Sequence, residues 1–318
     1  MAITLAEAQK NVQDDLQMGV IDEFRKSSFI LDHLPFDDCV SPTGGGATLT
    51  YGYTRLITQP SSAFRNVNEE YTPSSVTKQR YTVDLKIFGG SFEVDRVIAK
   101  MGGIIDEVDL QIKQKVKSAR ALFNDTFING DSGVDEKSFD GLEKALAGSS
   151  TEFNNGENII DLSTSAKVTE NYMAFLDMLD EFLATLDGEP TFIGGNSKLI
   201  AKIRACARRA GMYQTKLNDF GTQVEFYGTI PLVDLGTKPG SNEDVVATAV
   251  DGTTSLYAAR LAMDGLHGIS MAGDAPINVW LPNFKEAGAV KKGEVEMIAG
   301  IALKASKAAG VFRKIKVK

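Results

Sequence analysis

Apolar residues at Ile105, Val108, Ile112, Val116, Ala119, Leu122, Phe123 and Phe127 recur at steps of three or four. That spacing puts them on one face of a long helix, from about Ile104 to Ile128. Asp106, Glu107 and Asp109 fall in its first turns, and Lys113, Lys115, Lys117 and Arg120 follow, the order the helix dipole favours. Gly130 stands where a helix stop favours a left-handed residue. A second tight turn is predicted at Ser138-Phe139-Asp140-Gly141-Leu142. The rest of the chain is expected to be arranged around this spine.

Before the spine the pattern changes twice. Leu5, Ala8, Val12, Leu16, Val20 and Phe24 give residues Thr4 to Ser28 helical spacing on a narrow face, with no compact domain around them in sequence. This is the pattern of an arm that docks on the body of the chain or on a neighbour. Pro35, Pro42 and Gly44-Gly45-Gly46 then break the chain into loop. From Ala47 to Ile98 the period is two. Leu49, Tyr51 and Tyr53 alternate with Thr48, Thr50 and Thr54, and Tyr81, Val83, Leu85 and Ile87 alternate with Arg80, Thr82, Asp84 and Lys86. These are the strands of a long extended hairpin with a polar loop over Ser61 to Thr77. After Gly89-Gly90 the apolar positions move to Phe92 and Val94, which predicts a bulge or bend at the glycines. A half-polar two-stranded ribbon is marginal by itself, so its face is expected to pack on another subunit.

Beyond the spine, Gly148 to Asn158 reads as a polar linker. Tyr172, Phe175, Leu176, Leu179, Phe182, Leu183 and Leu186 form a broad apolar face on a helix from Lys167 to Leu186. Thr191-Phe192-Ile193 is a short buried strand, and a helix from Lys198 to Ala210 turns Leu199, Ile200, Ile203 and Cys206 inward. Strands are predicted at Val224–Tyr227, Gly228–Asp234, Ser255–Leu261, Asp264–Met271 and Ile277–Leu281. The alternation from Lys167 to Leu281 marks a separate α/β unit. Two final strands, one with Val295, Met297 and Ile301 and one over Val311 to Val317, are expected to return to cover the spine.

Composition narrows the class. The 318 residues are 43% hydrophobic and 24% charged, the balance of a globular chain long enough for one large or two smaller cores. No apolar run approaches the ~18 residues of a membrane span, and the first residues lack a secretion-signal layout. Two distant cysteines, Cys39 and Cys206, make no disulfide framework and suit synthesis in a reducing cytoplasm. A net charge of −8 disfavours a protein that grips nucleic acid through its phosphates.

Candidate chemistry is sparse. His33 and His267 have no second ligand type at metal spacing, and His267 reads as a structural strand or turn histidine. Cys206, on an apolar helix face, reads as core. Gly44-Gly45-Gly46 lacks the lysine of a phosphate cradle. Gly194-Gly195-Asn196 could hold an anion at a helix start, but a cap made by Asn196 or Ser197 accounts for it better. Asp131 to Glu136 lacks the glycine and acid spacing of a calcium loop and reads as a solvated turn. Arg204, Arg208 and Arg209, and Arg313, Lys314, Lys316 and Lys318, form two basic clusters, read by default as solvated faces or intersubunit ion pairs, with a nucleic-acid surface as the other option. We therefore assign no catalytic, cofactor-binding or metal-ligating residue, and expect no enzyme.

The order of parts carries a resemblance. An amphipathic arm precedes an extended hairpin, then a spine helix ending at Asn129-Gly130-Asp131 and Gly141-Leu142, then an α/β unit with Gly228-Thr229-Ile230-Pro231-Leu232-Val233, then terminal strands. This resembles the major capsid protein of tailed bacteriophages, the Hong Kong 97-type fold. The resemblance implies an α+β chain divided into an N-terminal arm (1–46), an E-loop hairpin (47–98), a P-domain built on the spine (99–158), an α/β A-domain (159–290) and C-terminal strands returning to the P-domain (291–318). It implies hexamers and pentamers in an icosahedral shell around double-stranded DNA, assembled in a bacterial cytoplasm and found in the virion, with portal and scaffolding proteins as partners and no membrane. An arm that begins at Met1 implies a separate scaffold protein, or none. Some members crosslink lysine to asparagine. Lys78 and Lys86 lie in the hairpin region, but no partner asparagine or acid is marked, and crosslinking is not expected. Two alternatives stay open: an encapsulin-type compartment around a cargo enzyme, and a soluble enzyme with its site near His267 or the Gly194–Asn196 loop.

Overall fold

The computed structural model describes residues 29–41, 48–100, 107–156, 158–212, 214–217, 223–273 and 277–318. The helix predicted over residues 4–28, the Gly44–Gly46 run and the spine before Glu107 lie outside the described residues. The helices are α1 (Phe29–His33), α2 (Glu107–Asn129, the spine), α3 (Leu142–Leu146), α4 (Ser165–Ala184) and α5 (Ser197–Ala210). The strands before the spine are β1 (Phe36–Val40), β2 (Thr50–Thr58), β3 (Thr77–Asp84) and β4 (Lys86–Asp95). Those after it are β5 (Glu152–Phe153), β6 (Ile160–Asp161), β7 (Phe192–Gly195), β8 (Gln214–Leu217), β9 (Gln223–Tyr227), β10 (Ile230–Asp234), β11 (Thr253–Ala259), β12 (Leu266–Met271), β13 (Ile277–Trp280), β14 (Val290–Leu303) and β15 (Ala309–Lys316). No helix among the described residues is long and apolar enough to cross a membrane.

An eight-stranded sheet runs β5-β15-β11-β7-β10-β9-β8, with β6 also paired to β15. Its central strands β15, β11 and β7 are buried on both faces, and the period of two divides their residues between two cores. Phe192, Tyr257, Ala259 and Val311 face the spine's Phe123, Phe127 and Ile128 together with Leu142 and Leu146 of α3. Their neighbours Ile193, Leu256, Ala258 and Phe312 face Phe175, Leu179 and Phe182 of α4 and Leu199, Ile203 and Cys206 of α5. Two-sided burial explains why Thr191-Phe192-Ile193 reads as a short apolar run with no polar face.

A five-stranded sheet carries the other half. On one side of β14 lies β4, antiparallel from Val290↔Asp95 to Ala299↔Lys86; on the other lie β13 and β12, with β1 parallel to β12. The sequence pattern grouped Asp264–Met271 and Ile277–Leu281 with the α/β unit. Both strands belong to this sheet, because alternation shows which residues are buried but not which strand they pair with. The final strand β15 lies within the eight-stranded sheet, antiparallel to β11 and parallel to β5 and β6, so only β14 runs beside the hairpin strand β4.

Three local expectations change. Gly130 is not left-handed: it is absent from the glycines of positive φ among the described residues. A Cβ there would lie 2.2 Å from the Phe139 carbonyl oxygen and 2.5 Å from that of Thr126, and the Gly141 N–H donates to the Gly130 carbonyl at 2.8 Å. Two chain segments touch at that point, and glycine lets them. The left-handed stop does occur after α5, at Gly211 with φ 72°. The change of strand phase lies at Leu85, not at Gly89-Gly90: Tyr81, Val83 and Leu85 point inward before it, Phe88, Phe92 and Val94 after it, and Ile87 is exposed. The chain there leaves one sheet and enters another. Finally, the polar stretch 148–158 is no free linker, since Glu152 and Phe153 pair with β15.

Candidate assembly surface and the root of the hairpin

Strands β2 and β3 pair antiparallel from Thr50↔Asp84 to Thr58↔Thr77, with a shift after Leu56. Every residue from 56 to 80 is exposed. Leu56, Ile57, Phe64, Val67, Tyr71 and Val76 are among them, with Phe64 wholly bare. The loop between the strands still has local order. Arg65 lies 5.3 Å over the Tyr71 ring and donates to the Asn66 and Glu69 carbonyls, and Asn66 N–H donates to the Glu69 carboxylate at 3.1 Å. A two-stranded ribbon bearing this much bare apolar surface is marginal in water by itself, which makes it the candidate contact surface of the chain.

The root of the ribbon is tied down. Tyr53 and Arg55 of β2 donate to the Leu303 carbonyl at 2.9 and 2.7 Å, and Arg55 also donates to that of Lys304 at 2.9 Å while stacking 4.4 Å over Tyr81. Tyr51 donates to the Asp37 carboxylate at 2.9 Å, and the Lys304 ammonium lies 3.7 Å from the same carboxylate and 5.4 Å over the Tyr51 ring. Tyr51 and Leu85 share a small core with Val40, Ile269 and Ala302. Burial alone would raise the Asp37 pKa, but Tyr51, Cys39 and Lys304 outweigh it and hold the carboxyl below its ordinary value. Burial, then Asp37, raise the Tyr51 phenol and the Cys39 thiol. His267 sits in β12, wholly buried, with its ring edge-on to Tyr51 at 5.8 Å.

At the far end of the spine two ionic clusters fix the chain. Lys144 of α3 places its ammonium 2.6 Å from Asp131 and 2.8 Å from Asp140. The acidic turn from Asp131 therefore carries its own cation: Lys144 lowers the Asp131 pKa, and Lys144 with Ser132 outweighs burial to lower that of Asp140. Deeper in, Arg313 of β15 bonds Glu143 at 2.6 Å and also Glu152, while Tyr257 donates to Glu143. Burial opposes the charge on Arg313, yet Glu143 and Glu152 together raise its pKa. One residue of the C-terminal basic cluster is thus an internal tie.

The remaining sequence candidates fall into place. Asn196 caps α5 by accepting from the Leu199 N–H at 2.8 Å, and its amide donates to Val246, Thr248 and Thr254, as the capping reading expected. Cys206 is core, and burial pushes its thiol up to about 11. His33 Nδ1–H donates to the Phe29 carbonyl at 3.0 Å, and its ring stacks on the Phe29 ring. Arg204 pairs with Glu225, and Arg209 bonds Ser165 and Thr169. On the spine, Arg120 pairs with Asp32 of α1 and Lys113 with Asp109. Lys78 is exposed, while Lys86 donates to the Glu136 carbonyl at 2.7 Å. Sequence reasoning missed Asp37, Arg55, Glu143 and Glu152, whose ties to other elements span from 14 to 249 positions and leave no local signal.

No protein-family model matches the chain, and no curated protein matches it by sequence. Solved structures do. The chain is similar to the subunit of the holo-SrpI encapsulin complex of Synechococcus elongatus PCC 7942, with a TM-score of 0.66 at 16% identity, covering 100% of this chain and 98% of that one. It is similar to Mycobacterium phage Bobi, with a TM-score of 0.61 at 10% identity over 99% of both chains. It is similar to the capsid of a native GTA particle, with a TM-score of 0.58 at 11% identity over 97% of both. Matches spanning both chains end to end, at identities too low to carry sequence motifs, show that the α+β architecture is the Hong Kong 97-type fold.

Proposed function

We propose that this chain is a structural shell subunit that assembles with copies of itself into a closed icosahedral particle, without catalysis. The observation that carries the reading is the hairpin: a ribbon anchored at its root, exposed from residue 56 to 80, with Phe64, Val67 and Tyr71 bare in its polar loop, on a chain whose full length follows the fold of capsid and encapsulin subunits. Such a ribbon gains a fixed environment by lying across a neighbour. In this reading residues 1–46 act as the arm, 47–98 as the E-loop, 99–158 with β14 as the P-domain, and 159–290 as the A-domain. The last of these is trimmed by β12 and β13, which pair with β14, and extended by β15.

For the contents, we propose double-stranded phage DNA, with portal and scaffolding proteins as assembly partners and the virion as the final location. The acidic balance of the chain suits a container that lies near DNA without gripping its sequence. A second reading, a compartment around a protein cargo, is favoured by the TM-score of 0.66 to an encapsulin. Isolated particles distinguish the two. Nuclease-protected double-stranded DNA of uniform length supports the phage head. A co-purifying protein inside DNA-free particles overturns it in favour of the compartment.

A further inference from the structure

His267 is the one wholly buried histidine among the described residues, and it sits behind the root of the hairpin. It lies in β12 opposite Ala302 of β14, with β1 on the other side of its strand. No hydrogen bond of ordinary geometry reaches either ring nitrogen among the described residues, and the Gly265 backbone exerts only a small pull on the ring. From β2 the Tyr51 ring packs edge-on against it, and the charges it feels are the Asp37 carboxylate of β1 and the Lys304 ammonium just past β14, which lie 3.7 Å from each other. Strand β12 itself contributes no charged residue. The Asp37 carboxylate is already shared by Tyr51 and Lys304. A proton on the ring would add a second cation beside Lys304, in a site whose carboxylate is committed.

We infer that His267 is a proton-sensitive latch: while neutral it lets the root close, and acid opens the root and frees the hairpin while the eight-stranded sheet stays folded. The hinge for such a local opening is visible. At Leu85 the chain passes from the β2–β3 ribbon into the five-stranded sheet, and a core separate from the two larger ones holds the ribbon down. The direction follows from linkage. Burial first, then Lys304, push the pKa of the closed ring down to about 4, with Asp37 and the Gly265 backbone pulling the other way. An opened, solvated ring takes the ordinary value of about 6.5. The open state therefore binds more protons between those values, and the closed root loses stability as pH falls from about 6.5 toward 4. Between pH 7 and 4.5 the open-to-closed ratio rises roughly fifty-fold. This goes beyond the shell reading and stands apart from it, because its readout lies within one chain.

The test is amide hydrogen exchange of the full-length protein at pH 7, 5.5 and 4.5, corrected for intrinsic rates. A freed ribbon is marginal, so protection of residues 49–58 and 77–85 should fall roughly fifty-fold by pH 4.5, while β7 and β11 keep theirs. In His267→Phe, which keeps a ring against Tyr51 but cannot take a proton, the acid loss should vanish. Equal loss in β7 and β11, or acid loss that persists in the variant, overturns the latch. If the variant does not fold, imidazole C2–H exchange in the wild-type protein decides the matter. A His267 midpoint well below 6.5 supports the latch, and an ordinary midpoint near 6.5 overturns it.

Discussion

Replacing Arg313 by alanine probes the tie between the spine's end and the C-terminal strand. The guanidinium side chain is 15% exposed and bonds Glu152, whose side chain is 6% exposed, as well as Glu143, which is 42% exposed. Removing Arg313 leaves the Glu152 carboxylate inside with no cation, a defect that costs about 3–5 kcal/mol. The half-exposed Glu143 arm adds less than ~1 kcal/mol, since water screens it. Against a typical total of about 5–15 kcal/mol this is a large fraction. Denaturant unfolding of dissociated full-length subunits measures it. A companion Arg313→Met/Glu152→Met pair removes both charges, so it should recover most of the loss. The reasoning fails if Arg313→Ala unfolds within ~1 kcal/mol of the wild type, or if the double variant is as unstable as the single one.

Other outcomes follow from the same geometry. Gly130→Ala drives a methyl to 2.2 Å from the Phe139 carbonyl oxygen, and the backbone contact must give; we expect a loss of several kcal/mol, on the order of an overpacked core, read as a large drop in melting temperature. Asn196→Ala removes the α5 cap and three further bonds at a buried side chain, for about 2–4 kcal/mol in thermal or denaturant unfolding; a change under ~0.5 kcal/mol would contradict the capping account. Deleting residues 59–76 and closing β2 to β3 with a short turn should leave a folded subunit by circular dichroism that no longer builds particles. Normal assembly of that deletion would remove the hairpin from the account.

Much of the architecture was legible because period reports burial. The apolar stripe of α2 ends in Phe123 and Phe127, both wholly buried, and that of α4 puts Phe175, Leu179 and Phe182 into the second core. The hairpin showed in the alternation of Tyr81, Val83 and Leu85. What stayed hidden was set by partners distant in sequence. Gly130 is required by a contact with Phe139 and not by its φ, which no helix-stop rule distinguishes. The phase change at Leu85 was assigned to the nearest glycines because a transfer between sheets leaves no composition signal. Glu152 looked like a solvated linker residue until Arg313, 161 positions later, came beside it. Assembly contacts are more hidden still: Phe64 and Val67 are bare in the single chain, and in the proposed shell their partners would come from a neighbouring copy.

The central claim is self-assembly into a closed particle. Electron microscopy of the purified full-length protein tests it most directly. The account predicts closed shells of uniform diameter, or hexamers and pentamers that convert to them. A homogeneous monomer or dimer at every concentration and salt examined would contradict it.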